Sequence, residues 1–282
     1  MRRIIDPEEC RRQYRGLGLE RAYHGSIAGA GGGAGFIGTG FHPGQVPGHL
    51  GTWINNPATI TLGSGKSGLG VSNWAPTLWN KTVGAVPWVQ ATAANQPTYS
   101  ATSFNSTKPG ITLNGTSDFL TADSLAISGS RQPRLDIIAL RWVGNSATQA
   151  LLSMGNLANN ARELTYIVSG PYRNYFCDDA PNGGDITSGL ASTTNPGVLS
   201  IHNTGTYLQM FLDGVPGTKD SVNWINGVKT MSTLTLGVER DKAANPTAIF
   251  GNVTVAGIIR IAASVPLPVV KRCESWLRSK VF

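Results

Sequence analysis

From residue 46 onward, the pattern of apolar and polar positions predicts a series of short β-strands. Residues 135–143 are apolar on both alternating faces, which is typical of a strand that is buried on both sides. Further strand patterns span residues 150–154, 163–169, 172–177, 198–202, 207–212, 233–238 and 253–262. Gly, Asn and Pro, which favour turns, separate them. Many short strands joined in this way predict an all-β protein built as a two-sheet antiparallel sandwich.

Two dipeptides predict tight hairpin turns between strands. Asn114-Gly115 separates the apolar residues 111–113 from residues 118–120, and Asp213-Gly214 directly follows the run 207–212. Asn-Gly and Asp-Gly favour the positive φ angles that a two-residue hairpin requires. We therefore expect one hairpin at each dipeptide.

Helical spacing appears only near the two ends of the sequence. Near residue 282, Pro268 suits the first helical position, and apolar side chains then recur near a period of 3.6 residues. These side chains are Val269, Cys273, Trp276, Leu277 and Val281. The pattern predicts a helix that closes the domain.

The first forty-five residues have a different composition. Asp6 suits an N-cap and Pro7 the first helical position, so a short helix is expected up to about residue 15. Such a helix is marginal alone, and we expect a partner to order it. Residues 25–40 have Gly at half of their positions, which favours either a flexible tether or close packing against a neighbouring subunit. We therefore expect an arm over residues 1–45 and a sandwich over residues 46–282.

Charge is sparse and concentrated near the ends of the sequence. Charged residues make up 14% of the chain, against about 25% in an average domain. The net charge is +7; residues 1–21 hold six Arg and four acids, and residues 271–282 hold four basic residues and one acid. This distribution fits either two charged terminal helices or contact with an acidic surface or nucleic acid. Nucleic acid is the less favoured partner.

The three cysteines, Cys10, Cys177 and Cys273, match no zinc or disulfide framework. The sequence MRRIIDPEEC has no apolar signal segment, and no run approaches the ~18 apolar residues of a membrane helix. We expect cytoplasmic synthesis, no insertion into membranes and no cofactor.

Several stretches, in this order and spacing, resemble the concanavalin A-like or laminin-G-like jelly roll found in tailed-phage virion proteins. Residues 46–50, 59–72 and Trp74 are similar to the opening of that family, and residues 94–99 to its linking loop. LNGTSDFL at residues 113–120 resembles its FDGxxDYL turn, FLDGV at residues 211–215 its YVNGV hairpin, and residues 258–282 its last strand and closing helix. The resemblance covers about four-fifths of the chain and does not include the first forty-five residues.

The resemblance implies a jelly-roll sandwich with an N-terminal helical, Gly-rich arm and a C-terminal helix. It also implies a non-enzymatic structural protein of the virion, synthesised in the host cytoplasm. The favoured placement is a tail fibre or appendage that binds host glycans. The alternative is a capsid decoration protein that stabilises the head, and a glycan hydrolase ranks third. The expected partners are tail, adaptor or capsid proteins, a host surface glycan, and further copies of the chain.

Two groups of residues are candidates for these contacts. The arm would anchor to an acidic surface of the particle through Arg2, Arg3, Arg11, Arg12 and Arg15, with Tyr14, Ile27, Phe36 and Ile37 as further anchors. An aromatic side chain beside Asn can stack on a sugar ring while the amide bonds its hydroxyl groups. The candidates for glycan contact are Trp79, Trp224, Asn223 and Asn226, although core packing remains the alternative for each Trp.

Other chemistry has little support in the sequence. Retaining glycosidases need two carboxylates about 5 Å apart, and no strand carries the E-x-D-x-E pattern of hydrolase relatives. The loop that begins at Asp178-Asp179 and runs to Asp185 could hold Ca²⁺, but a solvated turn is favoured. Asp118 is expected to bond local backbone N–H groups rather than a metal. Gly65-Lys66-Ser67 lacks the earlier Gly of a phosphate-binding loop, because position 60 is Ile. No catalytic or metal-binding residue is predicted.

Overall fold

The computed structural model describes residues 41–127, 129–130, 133–144, 147–155, 162–177, 184–221, 228–229, 231–240 and 246–282. Within these residues the first eleven strands are β1 (His49–Ile54), β2 (Ile60–Gly63), β3 (Gly70–Trp74), β4 (Leu78–Trp79), β5 (Trp88–Val89), β6 (Thr98–Ser100), β7 (Gly110–Thr112), β8 (Leu120–Thr121), β9 (Gly129–Ser130), β10 (Arg134–Trp142) and β11 (Gln149–Gly155). The others are β12 (Arg162–Ile167), β13 (Pro171–Cys177), β14 (Gly184–Ala191), β15 (Gly197–Asn203), β16 (Tyr207–Leu212), β17 (Val215–Ser221), β18 (Val228–Lys229), β19 (Thr233–Leu236), β20 (Val238–Arg240), β21 (Pro246–Phe250) and β22 (Val253–Ile261). Helix α1 spans Leu267–Val281.

One layer of the sandwich, here called the back sheet, has the antiparallel order β4-β1-β22-β10-β15-β16-β17. Strands β10 and β22 form its centre, where Leu135 lies opposite Ile261 and Trp142 opposite Val253. The register shifts by one residue at Ala256, which is a β-bulge in β22. The long central strands are buried on both faces, as the sequence predicts for residues 135–143, and the strand predicted at residues 253–262 is also present.

The second layer, the front sheet, has the order β2-β3-β5-β8-β19-β11-β12-β13-β14, again antiparallel. Strands β6 and β7 join the two layers, because β6 pairs with β3 while β7 pairs with β22. The sheets are therefore continuous at one edge. Two small ladders, β9 with β18 and β20 with β21, lie outside the main sheets.

Alternation along β10 places its side chains on two different cores. Ile138, Leu140 and Trp142 point between the two sheets, where the larger apolar cluster of the protein lies. Leu135 and Ile137 point the other way, into a second apolar cluster that includes α1. The all-β antiparallel sandwich with one C-terminal helix is thus confirmed.

Helix α1 covers the outer side of the back sheet. Its buried residues include Val269, Cys273 and Leu277, three of the apolar positions from which the helix was predicted. Trp276, predicted as part of the same apolar face, is only half-buried and lies against His42. Among the described residues, no helix is long and apolar enough to cross a lipid bilayer.

The two predicted turns have different outcomes. Asp213 and Gly214 have φ angles of 53° and 78° and join β16 to β17, with Leu212 opposite Val215, so this hairpin is confirmed. The hairpin predicted at Asn114-Gly115 is wrong. The flanking strands do not pair with each other, because β7 pairs with β6 and β22, and β8 pairs with β5 and β19. The chain instead crosses from one sheet to the other, with the Gly115 N–H bonded to the carbonyl of Gly251.

Candidate functional site

Trp79 is the predicted glycan-contact residue that the structure describes. It lies on β4, a two-residue strand at the edge of the back sheet, opposite Gly51 of β1. Its side chain is 49% exposed, whereas Trp53 and Trp88 are fully buried. For Trp79, the alternative of core packing is therefore wrong, and an indole is available to solvent.

The turn that directly follows β4 carries polar and apolar side chains. The side-chain carbonyl of Asn80 accepts the Thr82 N–H at 2.8 Å, and its backbone carbonyl accepts the Gly84 N–H at 2.9 Å. These bonds leave the Asn80 amide nitrogen without a partner among the described residues. Lys81 and Val83 are exposed. We call Trp79, Asn80, Lys81 and Val83 the Trp79 surface.

A rigid base supports the Trp79 surface. The Trp53 indole N–H donates to the carbonyl of Val86 at 3.2 Å, which ties the end of the turn to β1. Trp53 packs edge-on against Trp88, with 6.0 Å between ring centroids. A Cβ at Gly51 would lie 2.4 Å from the Trp53 ring, so only glycine fits opposite Trp79. Buried residues thus hold both the strand that pairs with Trp79 and the end of the turn that follows it.

The remaining candidate residues lie outside the described part of the chain. These are the glycan candidates Trp224, Asn223 and Asn226 and the arm residues Arg2, Arg3, Arg11, Arg12, Tyr14, Arg15, Ile27, Phe36 and Ile37. Of the proposed Ca²⁺ loop, residues 178–183 also lie outside it, and the backbone of Asp185 belongs to β14. The predictions about these residues therefore stay predictions.

A polar cluster that sequence reasoning did not identify joins the loops beside β3. Lys66 forms an ion pair with the buried Asp118 at 3.0 Å, and Ser117 donates to the same carboxylate. Burial raises the pKa of Asp118, although Lys66 and the Asn114 backbone N–H favour its charged form. Gln96 accepts the Gly65 N–H at 3.1 Å, which binds the Lys66 turn to the rest of the cluster. Asp118 is only 1% exposed, so its carboxylate cannot reach a ligand at the surface. The role of this cluster is therefore to hold the loops together.

A second unpredicted cluster is a network of charges between the two sheets. Asp136 accepts from Arg134 Nε at 3.0 Å and from Arg260 Nη1 at 2.5 Å, while Arg134 also pairs with Glu163 of β12. Arg260 further donates to the carbonyl of Leu125 at 3.1 Å. The four side chains of this buried network, Arg134, Asp136, Glu163 and Arg260, are at most 2% exposed. Two cations and two anions make the network neutral.

The neighbouring acids of the described chain are buried or already paired. Asp213 lies near Glu274, but Asp213 pairs with Arg278 and Glu274 is buried and bonded to Ser200. Asp136 and Glu163 share Arg134, but both are buried and engaged in ion pairs. No group of three His, Cys, Asp or Glu side chains in this part of the chain lies close enough to hold a metal ion. The surface with the clearest binding chemistry in the described chain is therefore the Trp79 surface.

No protein-family model matches the chain, and no curated protein sequence matches it. Solved structures do. The ligand-binding domain of botulinum neurotoxin serotype D, in complex with N-acetylneuraminic acid, superposes with a TM-score of 0.51 at 9% identity, over 83% of this chain and 51% of that chain. The present chain thus spans about half the length of that domain.

Two sialidase structures superpose less well. The CBM40 of the Ruminococcus gnavus IT-sialidase, bound to α2,3-sialyllactose, gives a TM-score of 0.47 at 11% identity, over 61% of this chain and 96% of that one. The NanB sialidase of Streptococcus pneumoniae gives 0.46 at 13%, over 56% of this chain and 26% of the enzyme. Scores below 0.5 add nothing to the assignment, which rests on the toxin domain and on the strand order. By these, the chain has the fold of an antiparallel β-sandwich, similar to that of the toxin domain.

Proposed function

We propose that this protein is a carbohydrate-binding protein that holds its ligand on the Trp79 surface. The observation that carries the proposal is the half-exposed indole of Trp79 on an edge strand, followed directly in the chain by Asn80, whose amide nitrogen has no partner among the described residues. An indole face stacks on the C–H groups of a sugar ring, and an amide bonds the hydroxyl groups at its edge. Both groups are in place on one short segment.

The first ligand class to test is acidic sugars. Lys81 adds an exposed cation to the Trp79 surface, which suits a sugar carboxylate. The similarity of fold to a domain solved with N-acetylneuraminic acid supports the same choice. A shallow surface with one stacking residue supports a dissociation constant of about 1 mM for a monosaccharide.

We further propose that the protein binds glycans without cleaving them. Hydrolysis requires two carboxylates that reach the scissile bond. Asp136 and Glu163 are buried and cannot touch a ligand at the surface. Of the neighbouring acids Asp213 and Glu274, Glu274 is buried and bonded to Ser200, and Asp213 pairs with Arg278. A glycan that binds should therefore be recovered intact after prolonged incubation, and a product of lower mass in the mass spectrum would refute this part of the proposal.

The experiment is a glycan array followed by titration of the best ligand. Trp79→Ala should weaken binding about tenfold, since stacking contributes about 0.5–1.5 kcal/mol beyond area burial, whereas Trp79→Phe should retain most of the affinity. Val215→Ala is the matched control, because Val215 is 60% exposed on a different edge of the back sheet. An array without a bound saccharide, or full affinity in Trp79→Ala, would refute the assignment.

Placement in a phage virion remains a prediction from the sequence resemblance, and the structural similarities do not support it. A tail fibre would be present in a few copies per particle, whereas a capsid decoration protein would approach the copy number of the capsid protein. Quantitative mass spectrometry of purified particles distinguishes the two placements. Absence from particles would remove both. A chain that begins near residue 46 should fold but no longer join particles, and its normal incorporation would contradict the anchoring role of the arm.

A further inference from the structure

The turn that joins β2 to β3 has an unfavourable backbone conformation. Lys66, Ser67 and Gly68 have φ angles of 51°, 56° and 86°, so three successive residues lie in the left-handed region. Glycine adopts this region freely, whereas the Cβ of any other residue comes too close to a carbonyl oxygen there. Two of the three residues are not glycine, and strain of this kind persists where surrounding contacts impose it. We call residues 64–69 the β2–β3 turn.

Close packing around Gln96 fixes the two ends of this turn. A Cβ at Gly63, Gly65 or Gly70 would lie within 2.7 Å of the Gln96 side chain, so these positions accept only glycine. Gln96 accepts the Gly65 N–H at 3.1 Å, and the Gly65 carbonyl accepts the N–H of Gly70 at 2.8 Å. The strained residues between these ends are held by a different contact.

That contact is the ion pair between Lys66 and the buried Asp118. Lys66 Nζ lies 3.0 Å from Asp118 Oδ1, and the Ser117 hydroxyl donates to the same oxygen at 3.3 Å. Asp118 Oδ2 is buried and has no hydrogen-bond partner among the described residues. A desolvated carboxylate oxygen without a donor makes the charged form of the group unfavourable. Burial accordingly raises the pKa of Asp118, because it outweighs the opposing effects of Lys66, Ser117 and Asn114.

Lys66 is the charged side chain that acts on Asp118 in the described chain. Residues 93–96 and 234–237 also approach this part of the protein, and neither segment contains a titratable side chain. Tyr99, whose backbone N–H bonds to the turn at 2.9 Å, stays neutral because burial raises the pKa of its hydroxyl. As pH falls, the ion pair is therefore lost when Asp118 takes up a proton.

We propose that the β2–β3 turn is a pH-sensitive latch, which opens when protonation of Asp118 breaks its ion pair with Lys66. Residues 66–68 then lose the contact that opposes their backbone strain and leave the left-handed region. In the open turn Asp118 stays buried but lacks Lys66, so its pKa is higher than in the closed turn, and uptake of the proton favours opening.

The sandwich stays folded while the latch opens. The pKa of Asp118 is raised in the folded state, so the folded chain takes up this proton before the unfolded chain does as pH falls. Protonation of Asp118 therefore does not lower the free energy of unfolding. The response of this group to acid is confined to the turn.

Amide hydrogen exchange of the full chain, measured by NMR at pH 7 and pH 4 and corrected for the intrinsic rate at each pH, tests the latch. The N–H groups of Gly68 and Leu69 donate to the carbonyls of Gly65 and Lys66, so their exchange reports opening of the turn. Their corrected exchange should be about tenfold faster at pH 4, as expected for a difference of about one pKa unit between the open and closed turn. The near-ultraviolet circular dichroism spectrum should be unchanged at pH 4.

Two variants separate the latch from a general effect of acid. Lys66→Met and Asp118→Asn both remove the ion pair, so Gly68 and Leu69 should exchange about tenfold faster than in the native chain already at pH 7, with little further change at pH 4. Lys271→Met is the matched control, because it removes an exposed lysine from α1 and should exchange at the turn like the native chain at both pH values.

Exchange as slow in Lys66→Met as in the native chain at pH 7 would overturn the inference. Native exchange at the turn that does not change between pH 7 and pH 4, or that rises equally in Lys66→Met, would also overturn it. Lys66 is partly exposed, so its variant decides the question even if Asp118→Asn does not fold. His49 is present in every variant, so its effect on stability does not imitate the expected difference. None of these outcomes depends on the proposed glycan binding.

Discussion

Asp136→Asn should be among the most destabilising single substitutions in the chain, because Asp136 is the centre of the buried network. Its carboxylate accepts from Arg134 at 3.0 Å and from Arg260 at 2.5 Å. The substituted amide keeps one acceptor and turns an N–H group toward a guanidinium. The network would then hold two cations and one anion between the sheets.

The magnitude follows from these contacts. A hydrogen bond to a charged group contributes about 1.5–3 kcal/mol, and removing one partner of a buried ion pair costs about 3–5 kcal/mol. Burial lowers the pKa of Arg134 only to about 10, so its guanidinium should remain charged at neutral pH. We expect the free energy of unfolding to fall by about 3–5 kcal/mol, a large part of the ~5–15 kcal/mol of a typical domain.

Urea unfolding monitored by tryptophan fluorescence measures this loss. The control is Arg278→Met, which removes the exposed ion pair with Asp213 and should cost less than about 1 kcal/mol. The double variant Asp136→Asn, Arg260→Met leaves the Arg134–Glu163 pair neutral. It should therefore cost at least about 1 kcal/mol less than the sum of its two single variants. A cost for Asp136→Asn near that of the control, or strict additivity in the double variant, would refute the reasoning.

Three further predictions concern backbone conformation, pH and thiol reactivity. Gly237→Ala should lower the free energy of unfolding by about 2–4 kcal/mol, since φ is +87° and the new Cβ would lie 1.9 Å from Leu113. Gly68→Ala, at φ +86° with open space around it, should cost only about 1–2 kcal/mol in the same urea titration. Equal losses in the two variants would contradict the steric argument. Burial lowers the pKa of His49 to about 4, so the unfolded chain takes up the proton first as pH falls below 6.5. The free energy of unfolding should therefore decrease between pH 6.5 and 5. A His49→Gln variant whose free energy of unfolding keeps the same dependence on pH would contradict this assignment. Burial raises the pKa of the Cys273 thiol to about 12, so iodoacetamide should label it only after unfolding, as peptide mapping at pH 8 would show.

A strand could be predicted from the sequence where the same kind of environment, buried on both faces, surrounds most of its residues. Strands β10 and β22 lie between the core and α1, so most side chains of both alternating sets are apolar and the pattern is clear. The turn at Asp213-Gly214 was predictable because both residues need positive φ and the strands on either side pair directly. Strands of two residues, such as β4 and β5, are too short to show any period.

The errors arise where distant partners decide the structure. Asn114-Gly115 has the local chemistry of a hairpin, and Gly115 does adopt a positive φ of 74°. The Asn114 side chain, however, accepts the N–H groups of residues 116, 117 and 118, and the Gly115 N–H donates to the carbonyl of Gly251, between β21 and β22. These contacts turn the chain across the sandwich instead of back along the same sheet. Local sequence carries no information about which strand will lie opposite.

The candidate site was predictable only in part, for a related reason. Trp74, Trp79 and Trp88 all lie in sequence broken by Pro or short polar residues, yet only Trp79 of the three is exposed. Its exposure follows from the edge position of β4, which depends on the pairing of Gly51 with Trp79. The buried network was missed because Arg134 and Asp136 alternate with apolar residues, a pattern that normally indicates a solvent-facing side.

The placement of charge links stability to recognition in this chain. Charged residues are few, and four of them form a network between the sheets that is neutral in sum. Such a network fixes the relative position of the sheets but adds nothing to the field outside the protein. Burial of Glu274 removes the only acid of α1 from the surface as well. The chain has 23 basic and 16 acidic residues, and because the network is neutral, this excess of positive charge lies outside it. The cations that contact aromatic rings lie largely on α1. Changes in the network should therefore alter folding, whereas changes to single exposed charges should cost little stability.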